Sequence, residues 1–405
     1  MKQYHDKSLL IDFGATHVKW AVYDFSKDKF VQVNKIKCAQ KTADEYTDLF
    51  KNICNSCKDY KSIFISSQMH GFFVLDENNK PLTDYISWQE HHGEIFEIEN
   101  FKKITGMEPR PGLPIFNLRY ISANNDVEDK IKICSIPDLL SNVDDNSTQK
   151  SHISMSAAMG FFDVKNRQLS TNLLNLFDKK ISFNDVVDEI VISGYYKNIP
   201  IYTGIGDLQC ALLGAIENME DSCVIVNIGT GSQVCVISKS LQPPEKAEYR
   251  PFFDNFHLHA ITHLPAGRAL NSYLQIFDQA DIWKEIKRLT FEDIINSTLN
   301  IDLAIFASAV NYKSGGAISN IQEGKFSKKN FLASLVNCLA KQYTKYIKDV
   351  CECDINYIIL SGGFPRNVPI FTKLMKYYTG RPARTLESFV DETLVGLKKI
   401  ARMYE

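Results

Sequence analysis

The sequence predicts an α/β protein of two domains. A short apolar run ending in Asp-Phe-Gly leads into a β-rich segment near the start, and the same succession of strand, glycine turn and returning strand recurs at residues 223–238. The last third of the chain then alternates helical and strand patterns, as sheets flanked by helices require. The 405 residues, 44% of them hydrophobic, hold more apolar material than one core usually takes up.

Residues 8–13 (Ser-Leu-Leu-Ile-Asp-Phe) and 18–23 (Val-Lys-Trp-Ala-Val-Tyr) predict a hairpin closed by a glycine-containing turn. Residues 30–37 add a third strand. Residues 42–60 have amphipathic spacing behind Thr42-Ala43-Asp44-Glu45, a helix-start signature, and 61–66 form another buried strand. Residues 124–150 carry the weakest pattern, with the polar stretch 141–149 expected as a surface loop. Gly204-Ile205-Gly206 punctuates the middle of the chain and places the domain boundary there, giving 1–205 and 206–405. Farther on, strands are expected at 223–228, 233–238 and 357–360, and helices at 331–350, at 367–378 and from about Asp391.

With 46 basic and 48 acidic residues the net charge is -2, which recommends neither a nucleic-acid nor a membrane partner. The start of the chain lacks an apolar signal core, and no stretch approaches the roughly 18 apolar residues of a membrane helix. A cytoplasmic protein is expected, as monomer or homodimer. The ten cysteines sit mostly in apolar runs, where a reduced thiol acts as a small hydrophobe. Cys54/Cys57 and Cys351/Cys353 lack a second pair at ligand spacing, so no zinc site is expected.

Asp12-Phe13-Gly14-Ala15-Thr16-His17-Val18-Lys19 sets an acid at a strand end, then small residues whose amides can approach an oxyanion, then a hydroxyl and a cation. A carboxylate so placed can hold Mg²⁺ through its waters. Alone, the segment reads as an ordinary glycine hairpin. Gly229-Thr230-Gly231-Ser232 repeats the pattern in the other half, which lets one triphosphate be held from two sides. Ser361-Gly362-Gly363-Phe364-Pro365-Arg366-Asn367 joins a strand to a helix through glycines, where an adenosine could lie against the backbone. Neither a P-loop nor a dinucleotide fingerprint is present. Asp207 stands where glycines give way to the apolar, helix-like segment 208–215. As a helix-start residue its charge is expected to be favoured by amides and the helix dipole, and by itself it reads as a simple cap.

In this order, these segments resemble the FGGY carbohydrate kinases of the actin, Hsp70 and sugar kinase superfamily. The resemblance also rests on Gln68-Met69-His70-Gly71, Trp88-Gln89-Glu90 and Gly206-Asp207-Leu208-Gln209. It implies two ribonuclease H-like, actin/hexokinase-type domains of mixed sheets flanked by helices, with an active site in the interdomain cleft. The N-terminal domain would bind sugar and carry the first phosphate turn. The C-terminal one would carry the catalytic Asp207, the second turn and the adenosine site. It further implies ATP and Mg²⁺ as cofactors, Asp12 as the water-mediated Mg²⁺ ligand, and Gly14, Ala15, Thr16, Lys19, Gly229, Thr230, Gly231, Gly362, Gly363 and Asn367 around the nucleotide. Gln68, Met69, His70, Trp88, Glu90 and Asp207 would meet the sugar, and Asp207 would be the base.

Among the branches the likeness is first to sedoheptulokinases, through Gly-Asp-Leu-Gln, Arg250-Pro251-Phe252-Phe253 and Gly267-Arg268-Ala269, and next to xylulokinases. A sedoheptulose-like ketose is therefore the expected acceptor, with another ketose or polyol, or a catalytically silent nucleotide-dependent sugar sensor, as alternatives. Glu90 stands where relatives have Asp, His91-His92 where Gly-Arg often follows, and Ala15 where Thr is usual; the stretch 311–319 is shortened.

Overall fold

The computed structural model describes residues 7–92, 94–124, 129–229, 231–277, 281–306, 312, 315–351, 355–387 and 390–404. The chain divides into two compact units. One comprises Met1–Glu217, Arg250–Asp254 and Ser388–Glu405, the other Asn218–Tyr249 and Asn255–Glu387.

In the first unit, β1 (Lys7–Phe13) and β2 (His17–Asp24) make the expected hairpin, with Asp12 opposite Lys19. β3 (Lys29–Lys37) continues it antiparallel. α1 (Ala43–Ser56) starts at Thr42, whose hydroxyl accepts from the Glu45 amide while the Glu45 carboxylate accepts from the Thr42 amide. This reciprocal cap is what the Thr-Ala-Asp-Glu signature specifies. β4 (Ser62–Ser67) then lies parallel to β1, with Asp12 beside Ser66. The sheet runs Ile192–Tyr196, Ile199–Tyr202, β4, β1, β2, β3, and Ile205–Gly206 extends the β4 edge so that Gly206 faces Ser67. β4 is buried throughout and β1 beyond Lys7, as strands covered on both faces must be. Leu9, Ile11, Phe50, Ile53, Ile63 and Ile65 share one core, and Phe72, Phe101, Phe116, Ile131 and Phe161 form another.

The helix Glu392–Tyr404 packs on β1, on β4 and on the helix Asp207–Ala215. A Cβ on Gly214 would lie 2.1 Å from the Glu392 carbonyl, and one on Gly396 would lie 1.9 Å from that of Cys210, so only glycine lets these backbones meet. The Lys399 ammonium donates to the Leu213 carbonyl at 2.9 Å and to that of Ile216, closing the C-terminus of the first helix with a cation. This pairing is why the division differs from the expected 205/206. Helix Asp207–Ala215 stays with the first unit, and the last helix returns to it.

Residues 129–150 are also more regular than their pattern suggests. They contain the strand Lys130–Cys134 and the helix Ile136–Ser141, started by a Ser135/Asp138 cap. The polar stretch after it is tied down by Thr148, whose amide donates to the Ser193 carbonyl at 2.9 Å.

The second unit repeats the plan of β1, β2 and β4. Cys223–Ile228 and Ser232–Ser238 form a hairpin, and Tyr357–Ser361 lies parallel to the former. The sheet order is Glu248–Pro251, His257–Leu264, Ser232–Ser238, Cys223–Ile228, Tyr357–Ser361, Ala383–Thr385. The long helix Lys328–Val350 buries Phe331, Leu335, Leu339 and Tyr343 in a core shared with Val226, Ile358 and Leu360. The helix expected at 367–378 is two helices, Gly363–Asn367 and Ile370–Thr379. Pro369 causes the break, because a residue before proline is steered out of helical geometry; Val368 takes φ -127°, ψ 71°.

Candidate functional site

Because β1 and β2 pair in register, the carboxylate at the end of β1 and the ammonium near the start of β2 face one another. Lys19 Nζ lies 3.3 Å from Asp12 Oδ2 and 2.8 Å from Asp391 Oδ2. Ser66, neighbouring Asp12 on β4, donates to Asp12 Oδ1 at 2.7 Å. The Thr393 hydroxyl donates to Asp391 Oδ1 at 2.5 Å and its amide to the same oxygen at 3.2 Å. Burial raises the Asp12 carboxyl above its ordinary value, and Lys19 offsets this only in part. Burial would lower Lys19, but Asp12 and Asp391 outweigh it and hold the ammonium charged. Burial likewise opposes ionisation of Asp391, yet Lys19 and the Thr393 donors keep it below the usual carboxylate range. Lys19 is therefore an ammonium fixed between two acids rather than a solvated strand lysine.

Asp207 is the first residue of its helix and, among the described residues, accepts only from its neighbour, the Leu208 amide, at 2.8 Å. The residue as a whole is half-buried. Burial pushes its carboxyl up to about 7, the charge on Asp12 adds to the rise, and the Leu208 amide, Lys19 and Arg250 pull the other way. The expectation that amides and the helix dipole would dominate is thus overturned: loss of water around the carboxylate wins. A carboxylate titrating near neutrality is suited to accept a proton from a hydroxyl.

The Gln68-Met69-His70-Gly71 segment leaves β4 alongside Gly206-Asp207. A Cβ on Gly206 would meet Met69 Sδ and Gln209 Oε1, each at 2.7 Å, which is why this position is glycine. His70 has φ 63° and is only half-buried. Its Nδ1 proton is donated to the Ala158 carbonyl at 2.7 Å, and its Nε2 accepts from Arg250 Nη1 at 3.1 Å. The ring expected to donate to a sugar thus already has protein partners on both nitrogens, and it holds the buried Arg250 in place.

Among the described residues, Trp88 and Glu90 make no hydrogen bond to Asp207, Gln68, Met69 or His70. Trp88 is 37% exposed. Glu90 accepts from the Ser87 amide at 3.1 Å and pairs with His92 Nε2 at 2.7 Å, so the His that replaces the usual arginine closes on the Glu that replaces the usual aspartate.

In the second unit the two other glycine segments meet. Asn227 Nδ2 donates to Ser361 Oγ at 2.9 Å, and Gly362, at φ 89°, lies so close to Ile228 that a Cβ would be 2.4 Å from its carbonyl oxygen. Apart from the chain neighbours, no atom of the described residues lies within 4 Å of where a Cβ would stand on Gly231 or Gly363. Thr230 lies outside the described residues, as do Asn311 and Cys353. Asn367 donates to the Gly363 carbonyl at 2.8 Å, closing its own short helix.

Residues 8–214 match the model of the N-terminal domain of the FGGY family of carbohydrate kinases. The chain belongs to that family. The FGGY chain is 23% identical over 266 residues to a xylulose kinase of Staphylococcus epidermidis. That match takes in 60% of the chain and 52%, about half, of the relative's length. The fold is that of a ligand-bound xylulose kinase from Lactobacillus acidophilus (TM-score 0.80, 15% identity, 98% of this chain and 89% of that one). It is equally that of a Plasmodium falciparum glycerol kinase with ADP (TM-score 0.79, 15% identity, 98% and 90%). The expected fold class, two actin-like domains of mixed sheets flanked by helices, is the one found.

Within the FGGY frame, Gly14 and Gly229 spend their amides inside their own turns, on the His17 carbonyl at 3.1 Å and the Gly231 carbonyl at 2.9 Å. The Asp12 carboxylate is held by Lys19 on Oδ2, by Ser66 on Oδ1 and by the Thr393 side chain, and a carboxylate accepts up to about four bonds, which leaves acceptor capacity for a metal-bound water. Asp391, Thr393 and Ser66, which complete the Asp12–Lys19 cluster, escaped the sequence reading; Asp391 alone of these had a signal, an acid two residues before Thr393 at a helix start. Among the described residues no helix is long and apolar enough to cross a membrane.

Proposed function

We propose that this chain is an ATP-dependent ketose kinase in which Asp207 takes the proton from the acceptor hydroxyl as the γ-phosphoryl group arrives. The observation that carries the reading is Asp207 itself: a helix-start carboxylate raised to about 7, beside the Asp12–Lys19 pair, in a chain of the carbohydrate kinase family. Phosphoryl transfer asks the protein mainly for alignment and for charge to offset that spreading over the phosphoryl oxygens. Lys19 supplies a fixed positive charge. In this reading Gly14, Ala15 and Thr16 of the first turn and Gly229, Thr230 and Gly231 of the second would meet the phosphates, and Gly362, Gly363 and Asn367 would border the adenosine. Asp12 would hold Mg²⁺ through water, and the ion would neutralise phosphate charge. Gln68 and Met69 meet the sugar, with His70 acting through Arg250. Trp88 and Glu90 join only as the outer edge of the sugar site. The protein works in the cytoplasm on a small sugar.

For the acceptor, Gln68-Met69-His70-Gly71 supports a ketose. Gly-Asp-Leu-Gln supports sedoheptulose, and the likeness to xylulose kinases supports xylulose. The test is kcat/KM with ATP and Mg²⁺ across ketoses, aldoses, polyols and aldonic acids. A ketose should lead by at least about tenfold, or about 1.4 kcal/mol of discrimination. Strong preference for glycerol or gluconate would overturn the assignment.

A further inference from the structure

The buried side-chain atoms of the first unit that have no hydrogen-bond partner among the described residues include three grouped around the two sequence motifs: Gln68 Oε1, Gln209 Oε1 and the Tyr85 hydroxyl. Their residues are 4%, 1% and 7% exposed. Leaving such an atom unpaired costs stability, and native proteins retain few of them.

The two glutamines are oriented by their other ends. Gln209 Nε2 donates to the Pro251 carbonyl at 3.3 Å, and the Gln68 side chain bonds to the Tyr46 hydroxyl. Each amide therefore spends its NH₂ group on the protein and keeps its carbonyl as an acceptor. Tyr85 stands beside Tyr46, ring centroids 5.4 Å apart, where the charges of Asp207 and Glu90 both act on its hydroxyl.

Two glycines of the sequence motifs make this grouping possible. A Cβ on Gly71 would lie 1.9 Å from the Tyr85 hydroxyl oxygen, and one on Gly206 would lie 2.7 Å from Gln209 Oε1. The bridge between Gly206 and Ser67 holds the two motifs side by side. Neither glycine has a positive φ, so each is needed for the room it leaves and not for a turn.

We infer that Tyr85 and Gln209, together with Gln68, form the acceptor-hydroxyl subsite beside Asp207, selecting an uncharged polyhydroxylated substrate. Two carbonyl oxygens take O–H donors and repel carboxylates and phosphates, and the phenol can donate or accept. The inference rests on the kinase reading and extends it to two residues and to the charge class of the acceptor: sugar phosphates and aldonic acids are excluded.

The test compares the parent with Tyr85→Phe and Gln209→Met, measuring ketose affinity by calorimetry without nucleotide, kcat/KM for xylulose, sedoheptulose and gluconate, KM for ATP, and Tm. Each variant should lose about 2- to 12-fold in ketose affinity, the range of one neutral hydrogen bond. KM for ATP should stay unchanged, gluconate should remain a poor substrate, and the Tm of Tyr85→Phe should not fall. Unchanged ketose affinity in both variants would overturn the subsite. So would a lowered Tm of Tyr85→Phe with unaltered sugar affinity, because the hydroxyl would then serve an internal water. A parent that binds ketose but does not phosphorylate it would defeat the kinase reading, while the affinity comparison would still decide the subsite.

Discussion

Lys19 lies 2.8 Å from Asp391, a contact joining the second strand of the chain to the start of its last helix. The same ammonium lies 3.3 Å from Asp12, so Asp391 draws Lys19 away from the carboxylate proposed to face Mg²⁺.

Asp391→Asn should let Lys19 settle on Asp12 alone. KM for Mg·ATP should then rise while KM for sugar stays put. Stability should fall by about 1–3 kcal/mol in denaturant unfolding, less than the 3–5 kcal/mol of breaking a fully buried pair, because Lys19 keeps one partner. Equal changes in both KM values would show that the residue serves the fold and not the phosphate side.

Asp207→Asn should fold, bind ATP and lose about 10²- to 10⁴-fold in single-turnover sugar phosphorylation, the usual range for a general base. In the parent the rate should climb as pH rises through about 7, where Asp207 ionises, and the variant should lack that climb. Stability should move the opposite way. The folded carboxyl keeps a proton that the unfolded chain, near 3.8, releases. From roughly pH 4 to pH 7 the folded state therefore binds more protons, and stability falls as pH rises through that window. Asn removes this penalty, so the Tm of the variant relative to the parent should improve between pH 5 and pH 8. A constant difference would place the Asp207 pKa near its ordinary value.

Gly231 and Gly362 should separate binding from folding. Gly231 has open space where a Cβ would stand, so Gly231→Val should keep its Tm yet weaken ATP by on the order of tenfold in calorimetry, by covering the backbone of the turn. Gly362 has φ 89° and abuts Ile228, so Gly362→Ala should cost at least about 1–3 kcal/mol in backbone strain before any contact is counted. A stable Gly362→Ala variant would refute the close approach.

What the sequence determined by itself was local. The hairpin ending at Asp12, the Thr42 cap, the strand at 223–228 and the helix starting at Asp207 are each set by neighbours within a few residues, through alternation, capping and the room that glycine leaves. Those short-range signals also placed Gln68 and His70 at the end of a strand. Only the tertiary structure decided which distant groups meet. Asp391 is 372 positions from Lys19, Arg250 is 180 from His70, and no local pattern records either contact. The same holds for protonation. At a helix start the amides and dipole favour the charged form of Asp207, but they are worth less than the water it loses when the chain folds around it, and burial is a property of the whole fold. The division of the chain follows the same logic. Gly204-Ile205-Gly206 marks a break in the local pattern, but Gly214 and Gly396 bring helix Asp207–Ala215 and the last helix together, and long-range packing sets where a compact unit ends.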